Sequence, residues 1–403
     1  MSRPSSLLLA LCLCSCGRPA PAPPPSLEQR VDDALDRAAK FLSSKQGPDG
    51  AFRSARYAAF RDGYSLSPLA LTVSRLVGSP DRAAYGRGVD FIATVVQDGK
   101  VRSDEARPQY PLYAIAGGIL VLNVPDNARH DAARSVLMRE LRAMQATEEG
   151  GWLEADPSYG GWGYFPGSRR RPEGGEVGAA ASNLSSTLFA VGALRLGGAG
   201  TDDPTMRRAR TFVERCQNLA ADGTAADRTY DDGGFFFGPD VPDGNKAGVL
   251  GTDAAGRQRF RSYGSMTADG VRALLQLGLG HDHPRVVAAA RWLAGHWSAR
   301  NNPGDFPDTS ELRRESAYYY WVWSGAHALR ALGQPTLGTP SGSVFWAQSL
   351  AEELISRQRT DGSWSNRYTE MREDEPLVAT PFAAAALAVA RGVLRGEQRT
   401  HRR

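Results

Sequence analysis

Lysine is scarce in this 403-residue chain, which has only Lys40, Lys45, Lys100 and Lys246. Arginine supplies nearly all of the positive charge, yet the arginines are scattered and the net charge is only +4. Nucleic-acid-binding proteins present a basic face or stripe, because phosphate contacts dominate their affinity. The sequence therefore predicts no nucleic-acid partner.

Cysteine is also rare, and three of the four cysteines lie within the first 16 residues. Removal of a leader there would leave only Cys16 and Cys216, so no internal disulfide is expected. Residues 1–16 contain one early arginine and then a short apolar run, 7–13. This run is too short to span a bilayer and is typical of a secretion signal.

The end of this segment resembles the signal of bacterial lipoproteins, in which a Cys after a small residue is lipidated and becomes the new N-terminus. Leu13, Ser15 and Cys16 match that pattern, whereas Cys14 between them is unusual. An ordinary cleaved signal is the alternative. The Pro-rich stretch 17–27 suits a stiff spacer. We therefore expect an exported protein of the bacterial cell envelope (periplasm or outer membrane), held at the membrane by acyl chains on Cys16.

Long apolar runs and strand-like alternation are both missing after residue 26, so the sequence predicts no further membrane span and few strands. Amphipathic helices such as LEQRVDDALDRAAKFLSSKQ instead alternate six times with helices such as PLYAIAGGILVL, which are apolar on most sides. A helix that is apolar all round must be buried all round. The alternation is therefore an internal repeat, and it extends over one domain, 28–396, followed by a basic tail, 397–403.

Two distant turns share the pattern Gln-x-x-x-Gly-x-aromatic: QGPDGAF (46–52) and QRTDGSW (358–364). Each ends an amphipathic helix at the point where the chain turns inward. We interpret 145–152, with its Gly-Gly-Trp, and 97–99 as degraded copies. The glycine lets the helix end and the aromatic ring packs against the neighbouring hairpin. The glutamine amide satisfies carbonyls at the helix end or reaches the adjacent repeat.

A closed ring accounts for both kinds of helix, because it buries the apolar set in the middle and leaves the amphipathic set on the rim. The sequence therefore predicts an all-α fold, an α/α toroid of about six helical hairpins. An open solenoid such as a tetratricopeptide array is the alternative, but the strict period of such arrays is absent here.

These turns, together with the phrases GGWGY (160–164), SYGSMTADG (262–270) and AYYYWVW (317–323), resemble the squalene-cyclase and protein-prenyltransferase repeat superfamily. The similarity covers about residues 28 to 395 and implies a toroid with an apolar central cavity for an isoprenoid. Triterpene cyclases carry an acidic D-x-D-D at an inner-helix entry, where this chain reads YGSM (263–266). The Asp, Cys and His ligands that hold zinc in prenyltransferases do not assemble either. The resemblance implies a binder of a hydrophobic ligand, with no metal or cofactor and with doubtful catalysis.

Candidate pocket residues follow from the expected ring, in which the N-termini of the inner helices converge at one end. Those entries carry Tyr64, Tyr110, Asn183, Tyr263, Tyr319 and Thr380. Asp269, Trp323 and His327 lie deeper on inner helices. Helix capping and core packing are the alternative roles for all of these residues.

No catalytic residue can be assigned firmly, and Asp269 and Asp232 are the only weak candidates. A glycan-processing toroid is an alternative function, which requires two carboxylates that face each other across the cavity. A non-catalytic interaction scaffold, with the cavity filled by the protein's own side chains, is a third hypothesis.

Overall fold

The computed structural model describes residues 24–397, except 79–80, 105–106, 166–169, 174–177, 221, 225 and 228. The expected leader and the lipidation residue Cys16 lie outside the described residues. In chain order the helices are α1 (Leu27–Lys45), α2 (Ser67–Val77), α3 (Arg82–Ala93), α4 (Pro111–Leu122), α5 (Asp131–Ala143), α6 (Leu184–Leu196), α7 (Pro204–Arg215), α8 (Gly264–Gln276), α9 (Pro284–His296), α10 (Glu311–Ser316), α11 (Tyr318–Leu332), α12 (Trp346–Arg357) and α13 (Pro376–Leu394).

Short antiparallel hairpins occupy some of the connections between helices. The paired strands are β1 (Val96–Gln97) with β2 (Lys100–Val101), β3 (Val249–Thr252) with β4 (Gln258–Phe260), and β5 (Thr336–Thr339) with β6 (Gly342–Phe345). They leave the architecture mainly helical, as the sequence predicts.

Six helices form a closed inner ring in which each packs against the next. The order is α2, α4, α6, α8, α11 and α13, and α13 closes the ring by packing against α2. The remaining long helices, α1, α3, α5, α7, α9 and α12, lie on the outside against them. This arrangement confirms the α/α toroid and excludes the open solenoid.

Helix α13 corrects one expectation from the sequence, because its 19 residues are long and apolar enough to cross a membrane. In the structure, however, it is an inner helix that packs against α1, α2, α11 and α12. Most of its side chains are buried among these neighbours. Its apolar character is therefore explained by burial on all sides.

Each of four glutamine side chains at the ends of outer helices donates two hydrogen bonds from its amide nitrogen. One acceptor is a glycine carbonyl in its own turn, and the other is a backbone carbonyl of the next outer helix. The acceptors are Gly50 and Ala84 for Gln46, Gly160 and Thr205 for Gln145, Gly233 and Arg285 for Gln217, and Gly362 and Ala34 for Gln358. The bond from Gln358 to Ala34 joins the last outer helix to the first, so the repeated motif closes the ring.

The glycine of each turn lies directly against the neighbouring outer helix. Gly160 has φ +85°, and a Cβ added to it would lie 2.0 Å from the carbonyl oxygen of Arg208. Only glycine combines this left-handed backbone with so close an approach. The aromatic residue two positions later is anchored by a hydroxyl of the following inner helix, as where the Trp364 N–H donates to Thr380 Oγ1 at 3.0 Å.

The structure corrects the assignment of the second copy, because Gln145 does not pair with the Gly-Gly-Trp at 150–152. It reaches past an insertion to Gly160, and Trp162 takes the aromatic position. Trp152 instead lies in a small separate cluster with Ala146 and Tyr159. Gln97 is an exposed residue of β1, so it is no copy of the motif.

Candidate functional site

Aromatic rings form a continuous row from the surface into the middle of the ring, which we call the aromatic wall. Its members are Tyr110, Phe165, Tyr164, Tyr113, Phe189, Trp323, Phe382 and Tyr320. Successive ring centroids lie between 5.0 and 6.4 Å apart. These distances are typical of aromatic pairs in contact.

The aromatic wall lies in the interior of the ring, because its members contact one another across it. Phe189 belongs to α6 and Trp323 to α11, two helices that α8 separates in the ring. Their rings nevertheless stack at 5.5 Å. Phe382 of α13 then packs on Trp323 at 5.1 Å. Four of the six inner helices thus contribute a ring to one surface.

Exposure varies along the wall. Phe165 at its outer end is 40% exposed, whereas Trp323 at its inner end is 7% exposed. Tyr113, Phe189 and Phe382 are half-buried, although they lie on helices that are covered from the outside. Part of the surface of each of these three rings therefore remains accessible.

Asp269 of α8 supplies a carboxylate beside the inner end of the wall. It is fully buried, and its Oδ2 accepts a hydrogen bond from the Tyr320 hydroxyl at 2.7 Å. Its Oδ1 accepts a hydrogen bond from the Ser324 hydroxyl. The Arg272 guanidinium lies 3.9 Å from Oδ1 and 4.2 Å from the centroid of the Trp323 ring. A buried carboxylate is stabilised by such an arrangement, in which an opposite charge lies nearby and hydroxyl groups donate hydrogen bonds.

Hydroxyl groups extend this cluster across the ring. The Tyr320 and Ser185 oxygens are 2.8 Å apart, and the Ser185 and Tyr113 oxygens are 3.3 Å apart. Asp269 on α8 is thereby linked through α11 and α6 to α4. Such a row provides polar groups that a ligand's hydroxyl or carbonyl can join, on a surface that is otherwise apolar.

Burial raises the pKa of Asp269 to about 6, while Arg272 and the two hydroxyl donors hold it from rising further. The group therefore exchanges its proton near neutral pH. Burial also raises the pKa of Tyr113 to about 12. A carboxyl group with a pKa near 6 is suited to hydrogen bonding and to proton exchange with oxygen or nitrogen. It is a weak acid for the protonation of a carbon–carbon double bond.

The adjacent tyrosines of α11 point in different directions, and this corrects the choice of Tyr319 as a central residue. The Tyr319 hydroxyl lies 3.5 Å from the carbonyl oxygen of Ser365, at the edge of a separate surface pocket of about 390 Å³. Tyr320 instead faces the interior and contacts Asp269. The two differ because consecutive helical residues lie on different faces.

Three other predicted residues are structural. Tyr64 stacks on Phe91 of α3 at 4.8 Å, and its hydroxyl bonds Thr94. Asn183 caps α6, where its side chain accepts from the Ser186 N–H. Thr380 holds the turn at Trp364, as described above. These contacts are the ones that the capping and packing alternative predicts.

The remaining pocket candidates lie at different depths. Tyr110 and Trp323 are members of the aromatic wall. His327 lies one turn after Trp323 on α11, and its Nδ1 is 2.8 Å from the Trp323 carbonyl oxygen. Tyr263 is buried and packs edge-on against Phe306 at 5.7 Å.

Asp232, the second weak catalytic candidate, belongs to the third glutamine turn. Its carboxylate accepts from the Gly234 N–H, the Ser262 hydroxyl and the Trp292 indole N–H. These contacts give it a structural role. The direct partners of Asp269 described above are Tyr320, Ser324 and Arg272, so the two candidate carboxylates have separate sets of contacts.

Several central residues were not predicted from the sequence. They are Tyr113, Tyr164, Ser185, Phe189, Arg272, Ser324 and Phe382. The sequence offers one signal for such residues, which is a polar residue on an otherwise apolar helix. This signal indicates Arg272 as well as Asp269. The rings gave no such signal, because a buried phenylalanine is equally typical of an ordinary core.

Glu373 was also missed, and it positions one of the central residues. Its buried carboxylate accepts from the backbone N–H groups of Tyr319 and Tyr320 at 2.9 and 2.8 Å. It therefore caps α11 from outside that helix. Burial raises the pKa of Glu373 to about 7.

Within the part of the chain that the structure describes, no three His, Cys, Asp or Glu side chains converge as a metal site. Cys216 is buried on the outer side of the ring at the end of α7, and burial raises the pKa of its thiol. It lies in the core as an apolar residue.

Comparisons with known proteins identify the fold. No protein-family profile matches the chain, and no curated protein does. A variant of the type II terpene cyclase MstE from Scytonema, in complex with its product merosterolic acid A, aligns over 91% of this chain and 98% of its own, with a TM-score of 0.51 and 11% identity. A protein from Actinoplanes (90% and 99% coverage, TM-score 0.48, 15% identity) and a glycosidase variant in complex with glucose (92% and 98%, 0.46, 13%) are also similar. The chain therefore has the α/α toroid fold of the terpenoid cyclase type.

Proposed function

We propose that the interior of the ring binds a hydrophobic, isoprenoid-like molecule along the aromatic wall. The observation that carries this proposal is the row of eight rings, which includes the exposed Phe165, the buried Trp323 and half-buried rings on three inner helices. Aromatic faces make favourable contacts with apolar chains and bury large areas at little entropic cost. The product-bound terpene cyclase of the same fold supports a ligand of this class.

The polar cluster around Asp269 holds the end of the ligand that lies deepest. Tyr320, Ser324 and Arg272 already satisfy the carboxylate, so the cluster presents hydrogen-bonding groups without an unpaired buried charge. A ligand with a hydroxyl or carbonyl at its inner end fits this arrangement. We assign binding and no reaction, because no group described at the site is a strong acid.

Native mass spectrometry after incubation with geranylgeraniol and squalene tests the proposal. We expect the wild-type protein to retain lipid. Phe189→Ala and Trp323→Ala should bind at least about fivefold more weakly, because each loses about 1–3 kcal/mol of apolar contact. Phe345→Ala, which removes an exposed ring on β6, is the matched control and should leave binding unchanged.

Two results would contradict the proposal: no retained lipid with a folded protein, or equal effects of the wall variants and the control. The first would favour the interaction scaffold. Retention of oligosaccharides in place of lipids would favour the glycan-processing alternative.

The proposed location is the bacterial cell envelope, with Cys16 as the lipidated residue. The support is the apolar run at 7–13 followed by Ser15–Cys16 and a Pro-rich spacer. Metabolic labelling with a palmitate analogue should mark the wild-type protein and fail with Cys16→Ser, while Cys216→Ser remains labelled. A labelled Cys16→Ser protein would refute the assignment.

A further inference from the structure

Lys246 is a half-buried lysine that lies beside the aromatic wall, near its outer end. Its Nζ lies 5.5 Å from the centroid of the Phe237 ring, and Phe237 packs against Tyr164 of the wall at 6.3 Å. Among the described residues, no hydrogen bond or ion pair of this ammonium group is found. Burial of an ammonium group without a hydrogen-bond acceptor is costly, because the group loses part of its hydration and the contact with the ring replaces only some of it.

The segment around Lys246 is held in place by its neighbour, Asn245. The fully buried Asn245 side chain donates to the Gly238 and Val241 carbonyls at 2.8 and 2.9 Å and accepts from the Phe237 N–H at 2.7 Å. Phe237 is in turn tied to the start of α6, where its carbonyl accepts from the Leu184 N–H. The lysine is therefore positioned by a rigid loop beside the wall.

The charges that act on Lys246 come from more than one element. Burial lowers the pKa of Lys246, while the Glu370 and Glu373 carboxylates act to raise it and Arg313 to lower it. Glu373 is occupied by the backbone of α11, and Glu370 lies 3.5 Å from Arg313. Both carboxylates thus have direct partners of their own, and within the described part of the chain neither forms a hydrogen bond with Lys246, whose N–H groups are left for an anion that enters the site.

We propose that Lys246 binds the anionic head group, a carboxylate or a phosphate, of an amphiphile whose apolar chain lies along the aromatic wall. This inference rests on the proposed function and specifies its ligand. The head group would lie by Phe237 and Tyr164, and the chain would pass Tyr113 and Phe189 toward Trp323, over ring-to-ring steps of 5.9, 5.0 and 5.5 Å. An ammonium ion that gains such a partner recovers the electrostatic stabilisation that burial removed.

Three ligands with the same tail test the head group: geranylgeraniol, geranylgeranoic acid and geranylgeranyl phosphate. Their dissociation constants are measured by titration of tryptophan fluorescence. We expect wild-type protein to bind at least one of the two anions at least tenfold more tightly than the alcohol. Comparison of the acid with the phosphate shows whether the site prefers a carboxylate or a phosphate head group.

Lys246→Met keeps the length and apolar stem of the side chain and removes its charge. We expect this variant to bind all three ligands with the affinity of the alcohol, and Lys246→Arg to keep the preference. Lys100→Met, at an exposed lysine of β2, is the matched control and should behave as wild type. Circular dichroism shows that each variant is folded.

Two results would overturn the head-group proposal: equal affinities of wild type for the three ligands, or an anion preference that persists in Lys246→Met. Neither result would contradict the proposed binding along the aromatic wall. Failure of all three ligands to bind would overturn the proposed function and this inference with it.

Discussion

The rim and the interior of the ring are built by different rules. On the rim, four turns repeat the same contacts: a glutamine amide to two carbonyls, a left-handed glycine against the next helix, and an anchored aromatic residue. In the interior, the rings and polar groups of α4, α6, α8, α11 and α13 occur once each, without a repeat. The contacts that recur at four hairpins hold the ring together, whereas the contacts that occur once are free to bind a ligand.

The largest expected effect tests the rim. Gly160→Ala should destabilise the protein by about 3–5 kcal/mol, since it adds a Cβ that meets the Arg208 backbone and strains a left-handed residue. Gly99→Ala is the control, because Gly99 has φ +72° but nothing within 4 Å of an added Cβ. Urea unfolding should show a loss of about 1 kcal/mol there. Equal losses at both positions would show that close packing of the turn is unimportant.

The interior should show a pH dependence that arises from Asp269. Asp269 has a folded-state pKa of about 6, above its ordinary value of 3.8, so its ionisation opposes folding. This cost is absent below pH 4, grows as the pH rises to about 6 and is complete above it. We therefore expect Asp269→Asn to gain about 3 kcal/mol of unfolding free energy relative to wild type between pH 4 and pH 7.

Urea unfolding of both proteins across that range measures the difference, and Glu373 is present in both and cancels. A difference that stays constant with pH would show that Asp269 is not buried as described.

A smaller effect is expected from the glutamine that closes the ring. Gln358→Ala leaves the carbonyls of Ala34 and Gly362 without their amide donor and should cost about 1–3 kcal/mol. Gln97→Ala removes an exposed glutamine and should change the unfolding free energy by less than about 0.5 kcal/mol. Equal losses of unfolding free energy in the two variants would show that the Gln358 hydrogen bonds do not stabilise the closed ring.

The smallest effect distinguishes the two neighbouring tyrosines of α11. Tyr320→Phe removes a donor to the Asp269 carboxylate and should raise the pKa of Asp269 by about one unit. Tyr319→Phe removes a hydroxyl that faces the surface pocket and should leave that pKa unchanged. The carboxyl ¹³C shift of Asp269 followed against pH measures both. A shift in the Tyr319 variant would contradict the assigned directions of the two side chains.

How far the sequence predicts this protein differs between the two regions. The alternation of two kinds of helix predicted the toroid, because the spacing of apolar residues along the chain shows which face of each helix is buried. The turns at 46–52 and 358–364 were also predicted correctly. After Gln145, however, an insertion places a Gly-Gly-Trp nearer in sequence than Gly160 and Trp162, which form the actual turn. Sequence spacing misled there, because the hydrogen bonds of Gln145 depend on distance in space and ignore the length of the intervening loop.

By itself the sequence determined that the chain would form paired helices of two kinds, and that they would close into a ring. Only the tertiary structure decided which residues meet in the middle. Helix rotation turns Tyr320 inward and Tyr319 outward, and the Phe189–Trp323 contact joins helices far apart in the chain. Local patterns encode burial, but the partners of a buried side chain are set by how separate helices face one another.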